Sequence, residues 1–349
     1  MTMRIAIVND NKGHLLMLSR ILEKCSTHEI IWIAYDGREA VEKCRLDKPD
    51  IILMDLVMPK MNGVMATREI MAQSPCAILL VTASVAGNAS LIFEAMGAGA
   101  LDVVKTPIFG DRDEERDTDA ILGKIRIVQN LIAPGKPLRS DNSLAENNNV
   151  HVETRKPILC FGASTGGPAA LATILSQLPV DFPIPVVIIQ HVDEYFSASF
   201  ADWLNKQCQL TVQIARHGDR PEVGKVLIAG TSNHMLMDSQ QRLVYADSNE
   251  ESNYKPSVNV FFNSLVKHWD DCIIACLLTG MGRDGATGLL NIRNKGGYTI
   301  TQSKDSCAVY GMPKAADDID ASMHSITPEE MPSFIMEFLN HNKQMAERL

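Results

Sequence analysis

No stretch of this 349-residue sequence is rich in positive charge. Lysine and arginine number 33 against 42 acidic residues, a formal net charge of −9. The balance is −1 over residues 1–110, −2 over 111–155 and −6 over 156–349. Neutralising nucleic-acid phosphates requires a basic face, so DNA and RNA are excluded as partners, and nothing reads as a helix-turn-helix. Long apolar runs are missing too. Stretches such as Val186–Ile189 and Ile273–Leu278 fall far short of the ~18 residues of a membrane-spanning helix. The opening Met-Thr-Met-Arg-Ile-Ala-Ile-Val enters a strand pattern at once, without the apolar core and cleavage site of a secretory signal. The expectation is a cytoplasmic protein with no direct membrane insertion. Cysteine pairs of the CxxC kind are also absent. The eight cysteines, at 25, 44, 76, 160, 208, 272, 276 and 307, are scattered, most of them in apolar stretches. That favours reduced, buried thiols over disulfides or a zinc site. No short fixed period signals a solenoid.

What is present is a soluble globular composition, 46% hydrophobic with mean hydropathy −0.02, in a chain long enough for two domains. From Arg4 to about Thr106, apolar runs RIAIV (4–8), IIWIA (30–34), DIILM (50–54), AILLV (77–81) and DVVK (102–105) alternate with amphipathic segments. Strands apolar on both faces and separated by helices imply a parallel sheet covered on both sides, here five βα units, with a fifth helix over Asp117 to Leu131. Residues 133 to about 155 carry Pro, Gly, Ser and three consecutive Asn without an apolar period, the composition of a linker. The alternation then resumes at PILCFGAS (157–164), VVIIQH (186–191), KVLIAG (225–230), RLVYAD (242–247), CIIACLLTG (272–280) and YTITQ (298–302). The second domain is again α/β, and the spacing of the 225–230 and 242–247 runs suits an antiparallel hairpin.

In an open parallel sheet, ligands bind beyond the carboxyl ends of the strands. In the first domain those positions hold Asn9-Asp10-Asn11, Asp55, Thr82 and Lys105-Thr106-Pro107. Asp10 and Asp55 would converge from neighbouring strands, and two carboxylates with a carbonyl and waters suit Mg²⁺. Singly, an aspartate at a strand end is more often a turn former or helix cap. The ordered set VND, LMDLVMPKMNG, VTAS, VKTP resembles the receiver domain of two-component response regulators over about 120 residues. That resemblance implies Asp55 as the phosphoryl acceptor, Asp10 with Asp55 as Mg²⁺ ligands, and Thr82 as the hydroxyl that senses the phosphoryl group. Two positions depart from the family. Asn9 replaces the first of two usual acids. With Pro107 aligned to the family's Lys-Pro, Thr106 takes the lysine position, and Lys105 is displaced by one residue to the opposite face of the strand.

In the second domain, Cys160-Phe-Gly-Ala-Ser-Thr-Gly-Gly-Pro168 follows an apolar run and precedes a helix-forming stretch from Ala169 to Leu178. A serine on such a glycine turn exposes its Oγ at the sheet end, near backbone N–H groups able to hold an oxyanion. A phosphate or dinucleotide turn has similar glycines, but no acid follows at the distance that would bind a ribose, Asp181 lying between prolines in DFPIP. A serine nucleophile needs a base and an orienting acid. Among nine histidines, His191 alone stands at the end of a strongly apolar run, His217 and His234 reading as polar-loop residues. Asp284, in the glycine turn of LLTGMGRDGATG, supplies a strand-end acid.

The order Ser164, His191, Asp284 differs from that of α/β-hydrolases. GASTGG, the strand-end Gln-His and LLTGMGRDGA together resemble the chemotaxis protein-glutamate methylesterases across roughly residues 155–345, a family with a receiver at its N-terminus. The resemblance covers nearly the whole chain. It implies a (βα)5 receiver at 3–122, a helix end and linker at 123–153, and a doubly wound α/β catalytic domain at 154–346. Ser164, His191 and Asp284 would be the triad, with Thr165 and Met281 lining the site beside the oxyanion. The esterase reaction would need no cofactor; the receiver would need Mg²⁺. The implied partners are a methyl-accepting chemoreceptor as substrate and a chemotaxis-type histidine kinase, with glutamine deamidation as a second activity. Asn9 and the Thr-Pro ending look more like the methylesterases of Wsp-type surface-sensing systems. Two other classes compete: a phosphorylation-dependent docking module, against which the Ser, His and Asp set argues, and a dehydrogenase, for which a Tyr-x-x-x-Lys pair is lacking because Lys255 directly follows Tyr254.

Overall fold

The computed structural model describes residues 2–23, 28–83, 86–132, 157–192, 194–231, 233–246 and 255–347. The linker composition at 133–155 and Cys25 lie outside them. The chain opens with β1 (Met3–Val8), α1 (Lys12–Glu23), β2 (His28–Ala34), α2 (Gly37–Leu46), β3 (Ile51–Met54), α3 (Gly63–Gln73), β4 (Ala77–Thr82), α4 (Ala89–Gly97), β5 (Asp102–Lys105) and α5 (Glu114–Ile132). The strands form one parallel sheet in the order β2-β1-β3-β4-β5. Because side chains alternate along a strand, Ile5, Ile7, Leu53 and Leu79 pack with Leu18 and Ile21 of α1 and Ile121 and Ile125 of α5. Ala6, Val8, Ile52, Met54 and Ile78 face the other way, toward Ala40, Ile70 and Ile92 of α2, α3 and α4. Asp36 and Asn62 cap α2 and α3 by accepting the amides of Glu39 and Met65.

The second half contains β6 (Ile158–Ala163), α6 (Gly167–Leu175), β7 (Val186–Gln190), α7 (Glu194–Asn205), β8 (Thr211–Ile214), β9 (Lys225–Ile228), β10 (His234–Met237) and β11 (Leu243–Ala246). After these come α8 (Val258–His268), β12 (Ile273–Leu277), α9 (Ala286–Asn294), β13 (Tyr298–Gln302), α10 (Met312–Asp317), β14 (His324–Ile326) and α11 (Met331–Glu347). Seven of the strands make a parallel sheet in the order β14-β13-β12-β6-β7-β9-β8. From β6 the chain first builds outward through β7, then returns to lay β12 on β6's other side. The β12–β6–β7 region is therefore the switch point of the sheet, where a crevice opens at the strand ends.

The expected hairpin is corrected. Lys225–Ile228 does not pair with the 242–247 run. It lies in the parallel sheet between β7 and β8, as its buried Val226, Leu227 and Ile228 require. The antiparallel partner of β11 is β10, a four-residue strand masked in the sequence by its polar surroundings. Asp238 closes the turn, its carboxylate accepting the amides of Gln240 and Arg242 at 2.8 and 2.9 Å. His234, read as a loop residue, is a fully buried strand residue.

The two halves meet through α4 and α7. Phe93 lies 5.1 Å from the Phe200 ring and 5.9 Å from that of Trp203. Gly97 ends α4 against the indole, where a Cβ would stand 2.8 Å from Trp203 Cζ2. No helix among the described residues is long and apolar enough to cross a membrane.

Gly162 in β6 shows how tightly the switch point is packed. A Cβ there would fall 2.3 Å from Val258 Cγ1 and 3.1 Å from Leu277 Cδ1. Gly162→Ala is expected to lower the unfolding free energy by about 1–3 kcal/mol, the usual cost of overpacking. Urea titration would register this as a lower midpoint at unchanged slope.

Candidate active site

Three loops converge on the crevice. Ser164 follows β6, and its amide donates to Thr279 O at 3.1 Å, tying it to the end of β12. Ala163 pairs with Gln190, and the His191 amide donates to Ala163 O at 2.9 Å, so serine and histidine leave adjacent, registered strands. The glycines of the turn have separate tasks. Gly166 takes φ +78°, the left-handed region that glycine enters without penalty. Gly167 admits Gln190, whose Oε1 a Cβ would approach to 2.2 Å. Gln190 Nε2 donates to Ser164 O at 2.9 Å and to His191 O at 3.1 Å, fixing both backbones. Gly280 is needed because a Cβ would lie 2.7 Å from that of Ser164.

Asp284 follows β12, is 6% exposed, and accepts from His191 Nε2 at 2.8 Å. Its remaining lone pairs are met by the start of α8. Oδ2 takes the Val258 amide at 2.7 Å, while Oδ1 takes Ser257 Oγ at 2.8 Å and the amides of Asn259 and Gly285 at 3.0 Å each. Burial pushes this carboxyl upward, but the hydrogen bond and charge of His191 and the amides of Asn259 and Val258 outweigh it, leaving Asp284 below the ordinary aspartate value. The carboxylate is thus ionised at neutral pH despite its burial.

Of the sequence-predicted residues, Asp284 and His191 are bonded to each other, Ser164 sits beside them on the neighbouring strand end, Thr165 follows it, and Met281 lies 39% exposed in the β12–α9 loop. Sequence reasoning missed the supports. Thr279 Oγ1 donates to Thr165 O at 3.0 Å and accepts the Val309 amide at 2.8 Å, and the Thr279 amide donates to Gln302 Oε1 at 2.8 Å. Ser257 had a readable signal, a serine directly ahead of the apolar VNVFF stretch, the pattern of a helix cap. Thr279 and Gln302 had none, since each matters only through contacts distant in sequence.

In the first half, the Asp55 amide donates to Val8 O at 2.9 Å, which sets Asp55 beside the β1 end that carries Asp10. Burial raises the Asp55 carboxyl above its ordinary value, with the neighbouring Asp10 charge adding to it and the Leu56 amide opposing. Thr82 is buried at the end of β4 and accepts from Asn88 Nδ2 at 3.2 Å. Lys105 does not join this group. Its Nζ lies 3.4 Å from Asp117 Oδ2 on α5, as a one-residue displacement on a strand demands. Thr106 takes the inward position, fully buried, and its hydroxyl has no hydrogen-bond partner among the described residues. Two neighbouring carboxylates, that of Asp55 raised chiefly by burial and further by the Asp10 charge, are hard-oxygen donors of the kind that fit a divalent cation.

The halves are also joined at the serine turn itself. Thr165 Oγ1 donates to Asp102 Oδ2 at 3.1 Å, and the Gly166 amide donates to Leu101 O at 3.1 Å. Asp102 is in turn ion-paired with Lys124 of α5.

Comparison with known proteins matches residues 5–114 to the response regulator receiver domain and residues 159–335 to the CheB methylesterase family. A protein-glutamate methylesterase/protein-glutamine glutaminase of Burkholderia thailandensis is 44% identical over 98% of this chain and 99% of its own length. One from Bordetella avium is 47% identical over 92% of each. The crystal structure of the Thermotoga maritima CheB methylesterase catalytic domain, 31% identical, covers 54% of this chain and all of its own with a TM-score of 0.51. A receiver sheet, a second sheet whose switch point gathers serine, histidine and aspartate, and near-full-length similarity lead to one statement: the chain belongs to the CheB methylesterase family, in the form that carries an N-terminal response-regulator receiver.

Proposed function

We propose that this protein hydrolyses γ-glutamyl methyl esters on methyl-accepting chemoreceptors and deamidates receptor glutamines, under control of its receiver. The observation that carries the reading is the His191–Asp284 pair held at the Ser164 strand end. With Nε2 committed to Asp284, His191 takes the Ser164 proton at Nδ1, and the alkoxide attacks the ester carbonyl. Backbone N–H groups of the turn after Ser164 stabilise the oxyanion, with Thr165 and Met281 lining the site. His191 returns the proton to departing methanol, and a water activated by the same imidazole releases the acyl group. On a glutamine side chain the same steps release ammonia. Asp284 holds the imidazole in one tautomer and stabilises the imidazolium. The steps use no metal.

In the receiver, Asp10 and Asp55 would hold Mg²⁺, which supplies charge neutralisation for phosphoryl transfer from a partner histidine kinase to Asp55. Thr82 would sense the phosphoryl group. Lys105, engaged by Asp117, would not reach the phosphoryl group, and the uncharged Asn9 would leave the cation one negative ligand fewer than in receivers with both acids. These same substitutions support a place in a Wsp-type surface-sensing system. The reading also includes a cytoplasmic location, where receptor signalling helices and kinase are met. The domain limits proposed are 3–122 and 154–346, joined by the linker.

Regulation follows from the contacts at the serine turn. The Gly166 amide, a candidate oxyanion donor, is engaged by Leu101 O, and the Thr165 hydroxyl by Asp102. Docked, the receiver engages the turn that carries the nucleophile, holding the Gly166 amide and the Thr165 hydroxyl. Phosphorylation at Asp55 shifts the population to an undocked, active form.

Incubated with receptor carrying labelled methyl esters, Mg²⁺ and a small phosphodonor, the wild type should release methanol, and Ser164→Ala should reduce release by at least about 10³-fold. Equal, slow release by both would end the esterase reading and leave the docking module. Kinase-dependent, base-labile phosphoryl label should appear on the wild type and vanish in Asp55→Asn; a wild type that takes no label would mean a receiver working without phosphate. Gly97→Leu, which improves helix propensity while driving a side chain into Trp203, should raise activity measured without phosphodonor, about tenfold for each 1.4 kcal/mol of docking lost. Unchanged basal methanol release in that variant would remove the α4–α7 contact from the control.

A further inference from the structure

We propose that Ser257 is a positioning residue for the reaction, its hydroxyl holding Asp284 in the orientation that meets His191 and limiting the charge the acid presents to the imidazole. The inference rests on the roles given to His191 and Asp284 above.

Asp284 Oδ1 has three donors and Oδ2 two. Three of the five are backbone amides, set by the start of α8 and the β12–α9 turn. Among the described residues Ser257 is the one side-chain donor to Asp284 besides His191, and it is 1% exposed. Its Oγ gives its hydrogen to Asp284 and receives the Val260 amide at 3.4 Å, so one hydroxyl ties the acid to the first turn of α8. The Ser257 backbone is anchored in its turn. Its amide donates at 3.2 Å to Nδ1 of the buried His234, which while accepting there is the neutral ring with its proton on Nε2. Among the described titratable and charged groups, His191 comes from the β7 end, His234 from β10 behind Ser257, and the exposed Arg283 and Lys255 lie next to Asp284 and just ahead of Ser257 in their own loops. Of these, His191 bonds the carboxylate.

A hydroxyl donor disperses carboxylate charge and removes one rotational freedom. Without it the acid turns more freely and is more basic toward the imidazolium, which then keeps its proton to higher pH. Hydrogen bonds to charged groups of this kind account for about 10- to 100-fold in rate when lost from a transition-state network.

Because Ser257 also caps α8, the decisive variant is Ser257→Gly, which retains most capping stability and lacks the hydroxyl; Ser257→Thr keeps both. Full-length proteins would be assayed on methyl-labelled receptor with Mg²⁺ and phosphodonor across pH, and the His191 ring titration followed by NMR of the imidazole nitrogens without substrate. Ser257→Gly is expected to lower kcat about 10- to 100-fold at unchanged KM, and to move the acid limb of kcat/KM and the His191 titration to higher pH. Ser257→Thr should restore all three to near wild type. A Ser257→Gly protein with wild-type kcat and titration, or one that loses activity with the titration unmoved and no rescue by threonine, overturns the proposal. A wild type that releases no methanol fails the esterase reading instead, while the NMR titration still judges Ser257.

Discussion

Burying a carboxylate beside an imidazole is costly unless its lone pairs are met, and the arrangement at Asp284 answers that requirement with five protein donors. The acid stands where β12 ends and α8 begins, so amides left unpaired by the first turn of a helix become its hydrogen-bond shell. Helix start and acid stabilise each other: the helix lacks intrahelical partners for those amides, and the carboxylate is buried away from bulk solvent. Much else follows from this exchange. Gly162 has to lack a side chain so that Val258 can approach, and Gly285, whose amide donates to the acid, takes φ +87° as the chain turns from there into α9. His191 then finds a fixed anion instead of a mobile one, the condition for a base with a defined tautomer.

The parallel sheet provides the second constraint. Side chains that must cooperate come from three strands that are neighbours in space but distant in sequence, β6, β7 and β12. Parallel pairing brings their carboxyl ends to the same edge. The backbone bonds from Ser164 to Thr279 and from His191 to Ala163 extend the ladder beyond the strands, so Ser164 and His191 inherit sheet rigidity in a region where loops usually supply function.

Much of this was legible in the sequence, because apolar runs on both faces of a strand leave a strong pattern and strand-end residues have a defined place. Both sheets are legible that way, and the same pattern singles out Asp55, Ser164, His191 and Asp284, which the structure places at strand ends, His191 bonded to Asp284. What escaped were short or disguised elements. β10 is four residues led by a histidine, and nothing local distinguishes a buried His234 from a solvated one. The position of Lys105 was foreseen from strand alternation, but its partner Asp117 was not, since α5 brings that acid from a separate element. Thr279, Gln190 and Gln302 act by holding backbone groups, a role any polar residue has locally and only tertiary structure assigns.

The contact between Leu101 and Gly166 carries a consequence for how the two halves communicate. A receptor ester seeking the oxyanion donors and the receiver's β5 compete for the same amide, so in the proposed mechanism their occupancy is mutually exclusive. Thermodynamic linkage then works in both directions: a phosphoryl group that loosens the receiver raises affinity for substrate, and substrate, by occupying the turn, stabilises the open receiver by an equal free energy. In that mechanism the local abundance of methylated target and the kinase would act on the same docking equilibrium, through the Gly166–Leu101 hydrogen bond that both events must break.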